Sequence, residues 1–571
     1  MNYGHIIDHL VSQGFDAKKG EYLGEECLQV DIRIESEVYS LKHQYIDEIT
    51  RLPHFFLHDE SCKTGLAHVL PVNPGSAAGI CLTVEDAVSV NYDVPELAFE
   101  DSLMRCIEIL KRVVTDPDWN RAELIREFAA NWSLMCDPNA LDFICVSISH
   151  EFENVSVMLP MTGKKSGLKG SYVALSESAA LLADYSLVKE ELLDCKRISA
   201  GTGMIVPLAE LTPPPIAATQ LQTWYIDAIN KLDKSVLENM AMVGRIRSKV
   251  FWVIFNAETV SGRTWFGIRF ESPAKKYLPL DTDTIKCWTM SPIRVRNFSP
   301  ETMLPRGGAH TALREKSVLL VGCGSVGGEI ADKLASAGIG KLHLSDPDTY
   351  SWDNIYRHML PTSSVGFNKS FCIDFELENN YPWVRCQHDG KRLLDHRDVE
   401  RLKSFDLIIV AIGSPTHERL FAEFYRRTAG LPAIMNTWLE GYGVGGHATL
   451  QVPGKKGCLF CAYVDNTSLS RGLASNLNFI VQNQDVTINH AGCGDLFLPY
   501  SGIDSSQTAV MASHLAVDYL LGNVSDSLSV SWRGGGHEAK AKGIELTHRF
   551  HHFSDSLSRQ PLYHEGCDAC R

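Results

Sequence analysis

Apolar and polar positions alternate with two different periods along the first part of the chain. Residues 3–14 have the spacing of a short amphipathic helix, and the stretch EECLQVDIRIES alternates as a half-buried strand does. HFFLHD and GLAHVLPV are further strand-like pieces. EDSLMRCIEILKRVV returns to helical spacing, with Leu103 and Leu110 on one face. The pattern predicts an N-terminal α+β domain over residues 1–150.

The last part of the chain has a different pattern, in which near-continuous apolar strands are separated by helices. These strands are SVLLVG, KLHLSD, FDLIIVAIG and LPAIMNTW. Apolar runs of this kind indicate a doubly wound, mostly parallel α/β sheet, here over residues 301–571. Residues 151–300 are predicted to form a mixed linker domain with a hairpin near Ser261 and Gly262. The three prolines Pro213–Pro215 predict a rigid connector or an extended edge.

Composition and charge exclude several classes of protein. The chain has 571 residues and a formal net charge of -15, so a general nucleic-acid binder is not expected. It contains no run of 18 or more apolar residues, and its N-terminus does not resemble a signal peptide. We therefore expect a cytoplasmic protein without a membrane span, in which the 16 cysteines serve as thiols or metal ligands.

A glycine-rich turn follows the first strand of the predicted parallel sheet. Gly322, Gly324 and Gly327 spell G-x-G-x-x-G in VGCGSVGGEI. Glycines allow a phosphate to approach the backbone, and the N-terminus of the next helix offers free N–H groups. The motif usually indicates NAD, although a glycine-rich turn without any ligand has the same sequence.

The continuation LHLSDPDTYSWDNIYRHMLPTSSVGFNKS favours ATP with Mg²⁺ over NAD. It supplies two acids, Asp346 and Asp348, followed by Asn354, Arg357 and Lys369. A triphosphate needs cations, and its magnesium needs carboxylates or amides, whereas a dinucleotide needs one acid and few cations. The alternative is that the arginine and the lysine are ordinary surface charges.

Two C-x-x-C pairs predict a zinc site. Cys458 and Cys461 form the first pair, and Cys567 and Cys570 form the second near the end of the sequence. Four thiolates bind Zn²⁺ tetrahedrally without an open catalytic position, which is typical of a structural site. Four reduced structural cysteines or a redox pair are the alternatives.

The C-terminal motifs together resemble the ubiquitin-activating (ThiF-type) superfamily, which includes the sulfur-carrier adenylyltransferases. The resemblance rests on KLHLSDPD, NIYR and VGFNK after the glycine loop and covers about residues 301–571. It implies that Asp346 binds the ribose, that Arg357 and Lys369 bind the phosphates, and that Asp348 and Asn354 lie near the reacting phosphate and Mg²⁺. The sequence departs from the family after FDLIIVAIG, where Gly413 replaces an aspartate that helps to hold magnesium.

A lone cysteine follows these motifs in the glycine-flanked stretch NHAGCGDLF. The same resemblance places the thioester-forming cysteine of activating enzymes here, so Cys493 is a candidate nucleophile. The alternative for Cys493 is an ordinary loop thiol. His490 is a candidate base or a surface histidine.

The N-terminal stretch HVLPVNPGSAAGICLTVED resembles the active-site segment of ubiquitin-conjugating enzymes. Asn73 precedes Cys81 by eight positions, as in that family, although Pro71 and Val72 replace its His-Pro and Gly79 is offset by one position. The resemblance implies a nucleophile at Cys81 and an oxyanion stabiliser at Asn73. The alternative is a buried structural cysteine.

A conjugating-type domain fused to an activating-type domain resembles the two-domain transferases of bacterial antiphage CBASS operons. The resemblance implies a homodimer that adenylates the C-terminal tail of a cGAS/DncV-like nucleotidyltransferase. The acyl group would then pass through Cys493 and Cys81 to a lysine of an acceptor protein. Two other hypotheses stay open, a sulfur-carrier-protein adenylyltransferase and a non-enzymatic docking scaffold.

Overall fold

The computed structural model describes most of the chain. The described residues are 1–58, 65–71, 77–82, 90–91, 93–160, 171–182, 184–185, 197–260, 262–465, 467–489, 496–553 and 556–570. Asn73, His490 and Cys493, which the sequence analysis singles out, lie outside these ranges. Their roles therefore stay predictions.

The first of two compact units comprises Met1–Ala180 and Cys195–Phe298. It begins with a sheet in the order β1-β2-β3-β4-β6-β5, whose described pairings are all antiparallel. Its strands are β1 (Asp16–Tyr22), β2 (Glu25–Ile34), β3 (Glu37–Gln44), β4 (Phe56–Leu57), β5 (Val69–Pro71) and β6 (Ala78–Ile80). The helix Pro95–Thr115 contributes Phe99, Leu103 and Leu110 to the same core, so the predicted α+β architecture is confirmed here.

The rest of the first unit is built on a closed barrel in the order β10-β11-β12-β13-β7-β9-β8, with β8 pairing back to β10. Its strands are β7 (Phe143–Val146), β8 (Glu153–Pro160), β9 (Tyr172–Ser176), β10 (Arg197–Leu208), β11 (Ser248–Thr259), β12 (Gly262–Lys276) and β13 (Thr289–Asn297). The antiparallel pair β11 and β12 is the predicted hairpin. Closure removes exposed sheet edges, which an open sheet would have to protect.

The second unit comprises Leu181–Asp194 and Ser299–Arg571. Its main sheet has the order β16-β15-β14-β17-β18-β19-β22-β23, parallel from β16 to β18 and antiparallel beyond β18. The strands of this unit are β14 (Ser317–Val321), β15 (Lys341–Ser345), β16 (Arg385–Asp389), β17 (Leu407–Val410), β18 (Ala433–Glu440), β19 (Gly445–Gln451), β20 (Ile488–Asn489), β21 (Leu496–Phe497), β22 (Leu528–Arg533) and β23 (Leu557–Pro561). The predicted doubly wound α/β sheet is confirmed.

Both faces of the parallel sheet are covered, which explains the continuous apolar strands. On one face Leu320 packs in a core with Leu334 and Leu515, from the helices Ser325–Ala337 and Gly502–Leu520. On the other face Leu319 and Val321 share a core with the helix Pro415–Arg427. A strand buried on both faces cannot carry the alternating pattern of a half-exposed strand.

Helices connect and cover these sheets. The α-helices are Tyr3–Ser12, Pro95–Thr115, Pro117–Arg126, Phe128–Met135, Leu221–Asn230, Lys234–Gly244, Pro300–Arg306, Ser325–Ala337, Lys369–Asn380, Val399–Lys403, Pro415–Arg427, Gly502–Leu520, His537–Ala541 and His548–His551. Within the described parts of the chain, no helix has both the length and the apolar character that a bilayer span requires. The predicted domain boundaries at residues 150 and 300 stay a prediction.

Candidate functional site

The glycine turn after β14 has a backbone that only glycine accommodates. Gly322 has φ +96°, and a Cβ built on it would lie 2.6 Å from the carbonyl oxygen of Ala411. A Cβ on Gly327 would lie 1.8 Å from the carbonyl oxygen of Gly322. The two glycines therefore let the helix Ser325–Ala337 start directly against the strand, with no side-chain cap at Gly324. Its first amide groups stay available for an anion.

A cavity of about 430 Å³ opens at this turn. It lies where the strand order reverses, between the carboxyl ends of β14 and β17, which is the usual ligand position in open α/β sheets. Its lining consists of Val321, Gly322, Gly324, Ser345, Asp346, Pro347, Asp348, Lys369, Lys391, Arg392, Leu393, Ala411, Ile412, Ser414 and His417. The cavity thus brings together five of the predicted nucleotide-binding residues.

Asp346 is held rigidly at the floor of this cavity. One carboxylate oxygen accepts from the backbone N of Cys323 at 2.6 Å, and the other accepts from the backbone N of Asp348 at 2.8 Å. Burial raises the pKa of Asp346, while these two hydrogen bonds act in the opposite direction. The carboxylate therefore ties the glycine turn to the end of β15 and remains beside the cavity.

Three cationic side chains line the same cavity. Lys369 is buried, and its Nζ lies 3.2 Å from Oδ2 of Asp348, whose side chain is largely exposed. Lys391 and Arg392, which the sequence analysis missed, come from the loop directly after β16. Their position at the carboxyl end of a parallel strand is the sequence feature that indicates a ligand-binding role for them. Three cations around one cavity suit a polyphosphate better than they suit the single pyrophosphate of a dinucleotide.

A buried polar network supports the loop that carries these two cations. Asp389, the last residue of β16, accepts hydrogen bonds from Ser345, His343 and Arg401. Burial alone would raise the pKa of Asp389, but these hydrogen bonds hold it well below its usual range. The Oγ of Ser345 also lies 3.0 Å from the carbonyl oxygen of Lys391. The end of β16 and the loop that follows it are therefore fixed by contacts to Ser345, His343 and Arg401.

Three other predicted residues lie outside this lining, as far as the described residues define it: Gly327, Asn354 and Arg357. The guanidinium of Arg357 stacks 4.9 Å from the ring centre of Tyr500, whose hydroxyl lies 2.8 Å from Oγ of Ser325. Asn354 instead accepts from Ser351 in a capping box. Arg357 therefore adjoins the start of the helix Ser325–Ala337 through Tyr500 and does not face the cavity in this structure.

Gly413, where the sequence resemblance predicts the loss of an aspartate, follows β17. It has φ +62° and lines a second cavity of about 370 Å³ together with the buried Glu418. The Glu418 carboxyl accepts from the backbone N of Ser414 at 3.1 Å and from Asn436 at 3.3 Å. Burial raises the pKa of Glu418 to about 7. Glu418 is thus engaged within the protein. Asp348, by contrast, is largely exposed beside Lys369, and its carboxylate suits a magnesium ligand.

The four cysteines of the C-x-x-C pairs lie together in the second unit. The Sγ of Cys458 lies 4.0 Å from that of Cys461, 3.9 Å from that of Cys567 and 3.1 Å from that of Cys570. A Zn–S length of about 2.3 Å in a tetrahedron requires S···S distances of about 3.8 Å. All four sulfur atoms lie within 4.8 Å of one another, so the donor set fits tetrahedral zinc.

Cys81 lies in the first unit, directly after β6. It is exposed, and its backbone N donates to the carbonyl oxygen of His68 at 2.8 Å, which extends the β5–β6 ladder by one pair. Burial of the sulfur and then the charge of Glu127 raise the pKa of the Cys81 thiol. The exposure of Cys81 disagrees with the alternative of a buried structural cysteine.

Comparisons with known proteins identify the class of the second unit. Residues 298–521 match the model of the ThiF family, described as "ThiF family". The chain is 24% identical over 349 residues to the "ATP-dependent ubiquitin transferase-like protein Cap2" of Escherichia coli strain TW11681. That match covers 58% of this chain and 58% of Cap2, so the chain spans less than two thirds of the relative's length.

Two further comparisons concern smaller parts of the chain. It is 28% identical over 127 residues to a "Probable molybdopterin-synthase adenylyltransferase" of Porphyra purpurea, covering 22% of this chain and 33% of that one. A crystal structure of E. coli MccB with ATP matches with a TM-score of 0.33 and 18% identity, covering 46% and 68% of the two chains. The chain therefore carries a ThiF domain and is homologous to Cap2 at modest identity. The predicted resemblance is confirmed at this level.

Proposed function

We propose that this chain is an ATP-dependent ubiquitin-transferase-like enzyme that activates the C-terminal carboxylate of a protein and ligates it to an amine. The observation that carries the proposal is the cavity at the strand switch point, which combines a glycine turn, the buried Asp346 and three cations. This combination suits a nucleoside triphosphate. The homology to Cap2 supports the same activity.

In the first step, the helix N-terminus and the cations would bind the phosphates of ATP while Asp346 binds its ribose. The carboxylate of the protein tail attacks the α-phosphorus, a P–O bond to the tail forms, and the bond to pyrophosphate breaks. Mg²⁺ would neutralise charge on the leaving pyrophosphate, with Asp348 as its protein ligand. Lys369 would stabilise the same charge from a buried position, where an electrostatic contact is strongest.

In the second step, the Cys493 thiolate would displace AMP and form a thioester. The acyl group then moves to Cys81 by exchange between thiol and thioester, and an amine of the acceptor protein finally displaces Cys81. Asn73 would stabilise the oxyanion of that last step. Exposure of Cys81 at the end of a strand supports its role as an acceptor of the acyl group.

The setting that we propose is antiphage defence of the CBASS type. The activated protein would be a cGAS/DncV-like nucleotidyltransferase, the acceptor would present a lysine, and the enzyme would act as a homodimer. Zinc would hold the four cysteines Cys458, Cys461, Cys567 and Cys570 and thereby stabilise the ThiF domain.

A second candidate is a sulfur-carrier-protein adenylyltransferase, which the similarity to the Porphyra purpurea protein favours. It would use the second unit alone and leave Cys81 without a role. A docking scaffold would not need ATP at all, and the absence of an aspartate at Gly413 is the observation that favours it.

The test is ATP–pyrophosphate exchange with the full chain and a cGAS/DncV-like nucleotidyltransferase encoded beside it, compared with the same partner lacking its last residue. We expect exchange only with the intact tail, and with ATP but not NAD. If the chain forms a conjugate and Cys81→Ala abolishes it, the enzyme is a transferase and not a sulfur-carrier adenylyltransferase. No exchange with the intact tail would favour the scaffold.

A further inference from the structure

Two carboxylates and a thiol come together where the helix Lys369–Asn380 packs beside β16. Asp374 and Glu378 are four residues apart and therefore lie on one face of the helix, and Cys386 lies opposite them on the strand. One oxygen of each carboxylate and the sulfur of Cys386 all lie within 4.8 Å of one another. The sequence analysis singles out none of these residues, because their proximity depends on the packing of the helix on the strand.

Hydrogen bonds hold both carboxylates at this cluster. Oδ2 of Asp374 lies 2.5 Å from Nδ1 of His388, which follows Cys386 by two residues and so shares its face of β16. Oε1 of Glu378 accepts from the backbone N of Cys386 at 2.8 Å. The ring of His388 also packs edge-on against Phe371 of the same helix, with ring centres 5.2 Å apart. Both acids are thereby oriented by the protein itself.

The thiol of Cys386 is the group that these contacts do not explain. Its side chain is buried, and within the described part of the chain no hydrogen bond reaches its sulfur. The contacts of both acids would form equally well with an apolar residue at this position. Burial, followed by the charges of Asp374 and Glu378, raises the pKa of the Cys386 thiol well above its usual range. A divalent cation among the three groups would instead favour all of their charged forms.

We propose that Asp374, Glu378 and Cys386 bind a divalent transition-metal ion of the zinc class, with His388 as the positioning residue for Asp374. A thiolate is a soft ligand that does not suit Mg²⁺ or Ca²⁺, whereas zinc accepts sulfur and carboxylate oxygen together. Metal bonds of about 2.0–2.3 Å require tetrahedral donors about 3.3–3.8 Å apart, so side-chain shifts of about 1 Å or less complete the geometry. Water would supply the fourth ligand.

This site is separate from the four C-x-x-C cysteines, and it does not depend on the proposed function. The helix Lys369–Asn380 begins with a lysine of the nucleotide cavity, and β16 leads into the loop that carries Lys391 and Arg392. An ion bound to both elements would cross-link them behind the cavity cations. Binding replaces the proton of the Cys386 thiol by the metal and releases that proton to water, so the affinity should increase with pH.

The test uses the full chain with zinc retained by the four C-x-x-C cysteines. Three protein ligands hold an ion more weakly than four thiolates do, so purification without added metal and dialysis against EDTA should empty only the new site. Co²⁺ is then titrated into the protein, and the near-ultraviolet charge-transfer absorption of a cobalt–thiolate bond is followed. We expect one equivalent of Co²⁺ to bind with this absorption, and excess Mg²⁺ should not displace it.

Four variants assign the absorption to the cluster. Cys386→Ser should abolish it, and Asp374→Asn should weaken Co²⁺ binding. His388→Ala should lower the affinity about tenfold, because it removes the group that orients Asp374. Cys372→Ser is the matched control, since Cys372 is a buried cysteine of the same helix outside the cluster, and it should leave Co²⁺ binding unchanged.

Thermal unfolding gives a second readout that does not rely on the sulfur absorption. Co²⁺ at about 100 times its dissociation constant should raise the Tm of the wild-type chain, and the same concentration should raise the Tm of Cys386→Ser and of Asp374→Asn less. Asp374→Asn serves as the second variant if Cys386→Ser destabilises the sheet. Absence of Co²⁺ binding, binding without the charge-transfer absorption, or absorption that persists in Cys386→Ser would overturn the proposal.

Discussion

His358 joins the glycine turn to the segment that carries Arg357, because its Nε2 donates to the carbonyl oxygen of Cys323 at 2.9 Å. Its Nδ1 accepts from the backbone N of Leu360 at 3.3 Å. These two partners require the neutral imidazole with the proton on Nε2. Burial is the largest cause that lowers the pKa of His358, to about 4. A neutral, half-buried histidine thus supports the candidate nucleotide site.

The first prediction concerns pH. Between pH 6.5 and 4 the unfolded chain binds a proton at His358 and the folded chain does not, so the free energy of unfolding falls as the pH falls through this window. The contribution of His358 to this loss is about 3 kcal/mol at most. His358→Gln keeps a donor for Cys323 and removes the titration. Urea unfolding at pH 7 and pH 4.5 should therefore show a smaller loss in the variant, and an equal loss would contradict the assignment.

The second prediction concerns the cations of the nucleotide cavity. Lys369→Ala removes a buried charge beside the phosphate position, so ATP–pyrophosphate exchange should fall by an amount equivalent to about 2–4 kcal/mol. Lys391→Ala should also reduce exchange, because Lys391 lines the same cavity. Lys333→Ala is the control, since Lys333 pairs with Asp332 on the helix surface. Exchange that is normal in Lys369→Ala would remove this residue from the site.

The third prediction concerns zinc. Metal analysis of freshly purified protein should give one Zn²⁺ per chain, because the four sulfur atoms lie within 4.8 Å of one another. Cys567→Ser removes one ligand and should lower the free energy of unfolding, whereas exchange activity per folded molecule should change little. Cys287→Ser is a suitable control, because Cys287 is an exposed cysteine of the first unit. Protein that contains no zinc would refute the site.

The fourth prediction concerns the order of the two thiols. Cys493→Ala should form the acyl-adenylate but no thioester, and Cys81→Ala should accumulate the thioester on Cys493. Asn73→Ala should load Cys81 normally and transfer poorly to lysine, since its amide acts only on the developing oxyanion. Non-reducing gels with the partner protein and ATP distinguish these states. If Cys81→Ala still conjugates at the normal rate, the N-terminal sheet domain is a binding module and not a second catalytic centre.

The sequence predicted the parallel sheet and its phosphate turn because both depend on short-range patterns. A strand covered on both faces is apolar at nearly every position, as in SVLLV and LIIV. A turn with a left-handed residue and a close helix needs glycine, as at Gly322 and Gly327. The spacing of the two C-x-x-C pairs likewise indicates four thiolates for one metal.

Only the tertiary structure decided which distant residues meet. The strand order β16-β15-β14-β17 places Lys391 and Arg392 beside Lys369 in one cavity, and that order is not encoded by any local period. The same holds for His68 and Glu127, which are far apart in the chain and pair at 2.9 Å. Local patterns arise from the periods of strands and helices, whereas these neighbours arise from packing between elements far apart in the chain.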